Sequence, residues 1–148
     1  MGKSIRDAMT SNPRGVEATT PVVDAARLMK TEDVGMLPVV RSAGSRSIVG
    51  VVTDRDIAIR HVAEGHSSPD CPVSEAMSSN VKTCRENDSV DDVMKVMGRE
   101  QVRRIPIVDE RGDLVGIVAQ ADIARDADDK KAERTLEKIS EPGSKHSQ

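Results

Sequence analysis

The chain has 148 residues, of which 32% are charged and none is aromatic, with a formal net charge of -3. That length suits one ordinary domain or two small units sharing a core, and a weakly acidic chain has no general attraction for nucleic acid or an anionic membrane. With no apolar run of about 18 residues, no transmembrane helix is expected, and the start MGKSIRDAMTSNP lacks the apolar centre of a signal peptide.

Taken in order, the chain opens on an apolar start, Ile5 to Met9, that can lend a strand. Val16 to Thr19 predicts a short strand. Thr20-Pro21 predicts a helix start, a capping oxygen followed by proline at the first helical position. Val22, Ala25, Ala26 and Met29 then form one apolar stripe at helical spacing. Leu37 to Val40 is a strand holding Pro38, which places it at an edge or puts the proline where no donor is needed. A loose hairpin over 41–47 leads to the apolar strand Ile48 to Val52 and a helix starting near Asp54. Ile57, Ala58 and Val62 are expected to face inward there, with Gly65 ending the helix. Residues 65–72 read as a linker.

The second half repeats the first. Ile5-Arg6-Asp7-Ala8-Met9 lies over Val73-Ser74-Glu75-Ala76-Met77 at an offset of 68, and Val22 to Val40 lies over Val90 to Val108 at the same offset. Past the hairpin the offset becomes 66, so that Gly50, Val52 and Asp56 match Gly116, Val118 and Asp122. The second unit therefore predicts a strand Val81 to Cys84 and a helix from Asp88-Ser89 with Val90, Val93, Met94 and Met97 as its stripe. The strand Ile105 to Val108, holding Pro106, the turn Asp109 to Asp113, the strand Leu114 to Val118 and a helix near Gln120 follow. The reading is 1–64 and 73–127 as two repeats, 65–72 as linker and 128–148 as a charged, disordered tail with a short helix over Lys130 to Ile139. Each unit is an α/β (α+β) layer, a three-stranded sheet with helices on one side. Two units bury their open apolar faces against each other.

One junction, Gly50-Val51-Val52-Thr53-Asp54-Arg55-Asp56, has two readings. Thr53 and Asp56 can cap the helix that starts there. The same strand-to-helix turn can hold an anion on its free N–H groups, with the Asp56 carboxylate on a ribose diol. Asp54 and Arg55 count with Thr53 and Asp56 among the candidate ligand-binding residues of this junction; as a metal site, its two carboxylates lack a third ligand. Cys71 and Cys84 are not arranged as a metal or redox motif, so both thiols are expected to be free in a reducing cytoplasm, with no metal bound. No nucleophile and base are visibly paired. Without aromatic rings, a bound base must be gripped by aliphatic walls and backbone groups.

The paired units, with a helix start at Thr20-Pro21, a strand holding h-P-h-V in each and a Gly-h-h-Thr-x-x-Asp junction, resemble tandem CBS domains over about residues 5–127. Gln101 to Val108 and Gly116 to Arg125 are similar to the small stand-alone bacterial members, of the hypoxic response protein kind. The resemblance implies two repeats packed by pseudo-twofold symmetry, acting as a regulatory module and not an enzyme. Its implied ligand is an adenosine-containing nucleotide (AMP, ADP, ATP, NAD or S-adenosylmethionine) in clefts between the repeats, with no required cofactor. A homodimer and a regulated partner protein follow from the same likeness; a ligand-free dimerisation or partner-binding module is the alternative. By position, Thr53 would bind a phosphate or ribose oxygen and Asp56 the ribose hydroxyls, with Asp122 as the matching acid of the second repeat. Ala119 replaces the family's Thr or Ser there, which favours the Thr53 cleft. Thr20 would lie near the base. Gly35, Met36, Arg103 and Arg104, with Pro38 and Pro106 behind them, would line the clefts. Arg103 or Arg104 would reach a phosphate seated near Thr53.

Overall fold

The protein is described here by a computed structural model covering residues 4–42, 44–66 and 69–127. The expected tail and its helix lie outside the described residues, as does part of the expected linker. The first repeat carries strands β2 (Val16–Glu17), β3 (Met36–Val40) and β4 (Ile48–Thr53), with helix α1 (Val22–Glu32) between β2 and β3. Helix α2 (Asp54–Asp56) follows and runs on as a π-helix over Ile57–Val62. The second repeat mirrors it with β5 (Cys84–Arg85), α3 (Val90–Glu100), β6 (Arg104–Val108), β7 (Leu114–Ala119) and a helix over residues 120–127. A further strand, β1 (Thr10–Ser11), belongs to the start of the chain.

Both sheets have the same plan. β3 pairs parallel with β2 and antiparallel with β4; β6 does the same with β5 and β7. The proline strands are therefore central. Parallel pairing begins at Val39 and Ile107, one position after Pro38 and Pro106, so no ladder donor is required at the prolines. Both hairpins carry an irregularity at the same place, between Val39 and Val40 and between Ile107 and Val108.

The starts of the two repeats are exchanged. β1 pairs antiparallel with β7 of the second repeat, Thr10 opposite Ile117. Ser78, the counterpart of Thr10, forms an isolated bridge with Val51 of the first. Burial follows the exchange. Ile5 is fully buried in the core of Val93, Ile105, Ile107 and Val118, whereas Val73 and Ala76 complete the core of Val22, Leu37, Val39 and Val52. Fully burying such a side chain contributes about 1.5–3 kcal/mol, so neither repeat has a complete core without the other's leading segment.

Three local expectations are corrected. Thr20 does not cap α1; its hydroxyl accepts the Glu17 N–H at 3.0 Å, closing the turn before the helix, and Pro21 holds the cap position. Asp88 does the same with the Arg85 N–H at 2.9 Å, which leaves Ser89 to cap α3 through the Asp92 N–H. On the helix after β4, Ile57 packs on the first core, but Ala58 is exposed and Val62 is 65% exposed. The backbone there bonds five residues back, Ala63 N–H to the Ala58 carbonyl and His66 N–H to that of His61. That wider winding takes the inward face off the 3.6-residue spacing. Met94 likewise lies outside its stripe at 46% exposure, while Val93 and Met97 are buried.

Candidate functional site

Two clefts lie on either side of the pseudo-twofold relation between the repeats, and Met36 and Arg104 line both. These two residues occupy matching positions, at the start of β3 and of β6. The larger cleft, about 560 Å³, is bounded by Ala119 and Asp122 on one side and by Asn12, Arg14 and Gly35 on the other. The smaller, about 210 Å³, sets Thr53 and Asp56 opposite Ser78, Lys82 and Val102. In each, the strand-to-helix junction of one repeat faces the leading segment and the pre-strand loop of the other. The segment exchange is what brings these pieces together.

The two junctions differ by one oxygen. Thr53 Oγ1 accepts the Asp56 N–H at 3.0 Å, and Asp56 Oδ2 accepts the Thr53 N–H at 3.0 Å, a reciprocal capping box. At the second junction Asp122 Oδ2 accepts the Ala119 N–H at 3.1 Å, and the reverse bond is missing because Ala119 has no hydroxyl. The capping reading of Thr53 and Asp56 is thus present in the geometry. It leaves ligand chemistry open, since a hydroxyl that accepts an N–H retains a proton to donate. The half-buried Asp122 also sits 3.5 Å from the exposed guanidinium of Arg125, a solvent-screened contact that gains little from Coulomb attraction alone.

The arginine pair divides. Arg104 enters both clefts, and its guanidinium lies against Gly35: a Cβ built there would stand 3.3 Å from Arg104 Nη2 and 3.1 Å from Asp54 Oδ2. Arg103 lines a separate hollow with Met94, Gln101 and Gln120, and its carbonyl accepts the Gln120 N–H at 2.8 Å. Neighbours on an extended backbone project to opposite sides, so only one of the two reaches the clefts. Pro106 borders the smaller cleft and Met36 is buried between the two. Thr20, Pro38, Asp54 and Arg55 line neither; Thr20 supports the exchange, its carbonyl accepting the Val73 N–H at 2.7 Å. The residues that sequence reasoning missed are Arg14 and Lys82. They stand 68 apart at matching positions of the two repeats, one in each cleft, and the offset itself was the signal.

The CBS domain profile matches residues 5–61 and 73–129. The chain belongs to the CBS domain family. As a CBS pair it is 41% identical over 121 residues to the CBS domain-containing protein YhcV of Bacillus subtilis, covering 82% of this chain and 83% of that protein. It is 34% identical over 120 residues to Hypoxic response protein 1 of Mycobacterium tuberculosis, 81% and 82% covered. The crystal structure of Hypoxic Response Protein I with two coordinated zinc ions superposes with a TM-score of 0.74 at 34% identity, over 83% of this chain and 98% of that one. Two pairs solved with ligands are also similar, each at 28% identity and each covering 88% of this chain and 99% of the other. They are the CBS domain pair of protein MJ0100 with 5-methylthioadenosine and S-adenosyl-L-methionine, TM-score 0.77, and CBSX2 with AMP, TM-score 0.76.

Proposed function

We propose that this CBS pair is a regulatory, non-catalytic sensor of an adenosine-containing nucleotide, bound between its two repeats. The observation that carries the reading is the position of Arg104, a single guanidinium bordering two clefts that each contain an aspartate at a strand-to-helix junction. Asp122 and Asp56 suit a ribose diol, and Arg104 suits a phosphate, which a guanidinium grips with paired bonds. Met36, Ile117 and Val34 offer the aliphatic walls that an aromatic-free chain must use for a base. Pairs of the same fold solved with AMP and with S-adenosyl-L-methionine support the class of ligand.

Size favours the larger cleft as the first to fill. Ligand pockets span roughly 300–1,000 Å³, and about 560 Å³ lies within that range whereas about 210 Å³ does not. This runs against the sequence-based preference for the Thr53 cleft, where ligand entry requires side chains to move. Binding would then shift the packing of one repeat on the other, and a partner would read that shift. Exposed Ile59, Val62 and Met94 offer apolar surface for a second copy, so a cytoplasmic homodimer belongs to the proposal. The same exposed apolar side chains support the second reading, a dimerisation or partner-binding module with empty clefts.

Scanning calorimetry with AMP, ADP, ATP, NAD and S-adenosylmethionine tests the sensor. At a hundredfold excess over its dissociation constant, a ligand stabilises by about 2.7 kcal/mol. A raised melting temperature with at least one of the five supports the sensor; a flat response to all five leaves the interaction module.

A further inference from the structure

Away from both clefts, folding gathers three metal-binding side chains that the sequence spacing does not advertise. His66, Cys71 and Glu75 each present a donor atom, and these atoms all lie within 4.8 Å of one another. His66 Nδ1 stands 4.0 Å from Glu75 Oε2. His66 follows Gly65, which turns the chain in the left-handed region at φ +80°. Cys71 is half-buried before Pro72, and Glu75 ends the turn Val73–Glu75. The three therefore come from the connection between repeats and from the first turn of the second. His61 completes the surroundings, its ring stacked on that of His66 with centroids 5.8 Å apart.

We propose that His66, Cys71 and Glu75 form a site for a thiophilic divalent cation, zinc foremost. Imidazole, thiolate and carboxylate together suit zinc and not calcium or magnesium, which take oxygen ligands. Zinc bonds of 2.0–2.3 Å place tetrahedral ligand atoms roughly 3.3–3.8 Å apart. The cluster closes to that spacing by side-chain rotation of about an ångström, with the Cys71 thiol proton passing to solvent and the fourth position left open. An exposed His66–Glu75 ion pair by itself would contribute little and would give Cys71 no part.

The ion would act on the fold. Cys71's carbonyl accepts the N–H of Val22, the first residue of α1, at 2.7 Å, and Val73 and Ala76 close the first core. Met77 and Ser78 follow directly, and Ser78 lines the smaller cleft. A metal across His66, Cys71 and Glu75 would fasten the exchanged segment at its root. This inference does not depend on nucleotide binding.

The test uses the full chain, free of any affinity tag and of reductant thiols, titrated with cobalt(II) and then zinc. One equivalent of cobalt should give a thiolate-to-metal absorption band, which zinc displaces. Cys71→Ser should abolish the band. His66→Ala and Glu75→Gln should each weaken zinc at least about tenfold, and Cys84→Ser should leave both unchanged. Circular dichroism confirms that each variant is folded; should Cys71→Ser not fold, the exposed His66→Ala decides. No thiolate band in the wild type, or equal zinc affinity in wild type and His66→Ala, overturns the site.

Discussion

Val51 and Ser78 exchange both of their backbone hydrogen bonds, N–H to carbonyl at 3.0 Å in one direction and 2.8 Å in the other. The residue beside Val51 is Gly50, and a Cβ there would come within 2.8 Å of the Ser78 carbonyl oxygen and of Met77 Sδ. The glycine inside the second hairpin strand of each repeat, Gly50 in β4 and Gly116 in β7, is therefore the place where the other repeat's leading segment crosses the strand. Gly50→Ala should destabilise the fold by about 1–3 kcal/mol, the range for overpacking a filled site. Thermal unfolding should show a melting temperature lower by several degrees. At Gly116 the nearest atom is the flexible end of Met9, at 2.5 Å, so part of the cost of Gly116→Ala should be recovered in the double variant with Met9→Ala.

The unequal junctions give a reciprocal pair of stability changes. Thr53→Ala removes half of a capping box and should cost about 1 kcal/mol. Ala119→Thr supplies the missing acceptor for the Asp122 N–H and should raise stability by up to a similar amount. Denaturant midpoints measure both; a neutral Ala119→Thr would mean that the second junction cannot reach the cap geometry of the first.

Much of the architecture is legible in the sequence, because the duplicated order of turns, stripes and strands repeats at a nearly fixed offset. Helices α1 and α3 and the paired hairpins follow from local periodicity and turn chemistry. The exchange of leading segments is not legible. Val73 has the same apolar character whichever sheet it covers, and pairing over long sequence separations leaves no local pattern. Arg103 and Arg104 read as one basic pair until the extended backbone turns them to different sides. Val62 fits an inward face at helical spacing and loses it to π winding.

The two thiols should differ in reactivity. Burial, helped by the nearby Asp88 carboxylate, pushes the Cys84 thiol up to about 11, so it stays protonated and shielded at neutral pH. Cys71 is half-buried. A disulfide reagent at pH 8 should modify one thiol per native chain and the second only on unfolding. Because Cys84 titrates higher when folded than when unfolded, its contribution to stability is intact below pH 9 and is lost as pH rises toward 11. Cys84→Ala should flatten that alkaline loss.

The sensor account rests most directly on Arg104. Isothermal calorimetry of the bound nucleotide and of adenosine should be compared across wild type, Arg104→Ala, Arg103→Ala and Asp122→Ala. A charge-assisted hydrogen bond contributes about 1.5–3 kcal/mol, so Arg104→Ala should weaken the nucleotide by roughly tenfold or more and leave adenosine nearly unchanged. Arg103→Ala should alter neither, and Asp122→Ala should weaken both through the shared ribose. Equal losses of nucleotide and adenosine in Arg104→Ala, or full affinity in that variant, would contradict the account.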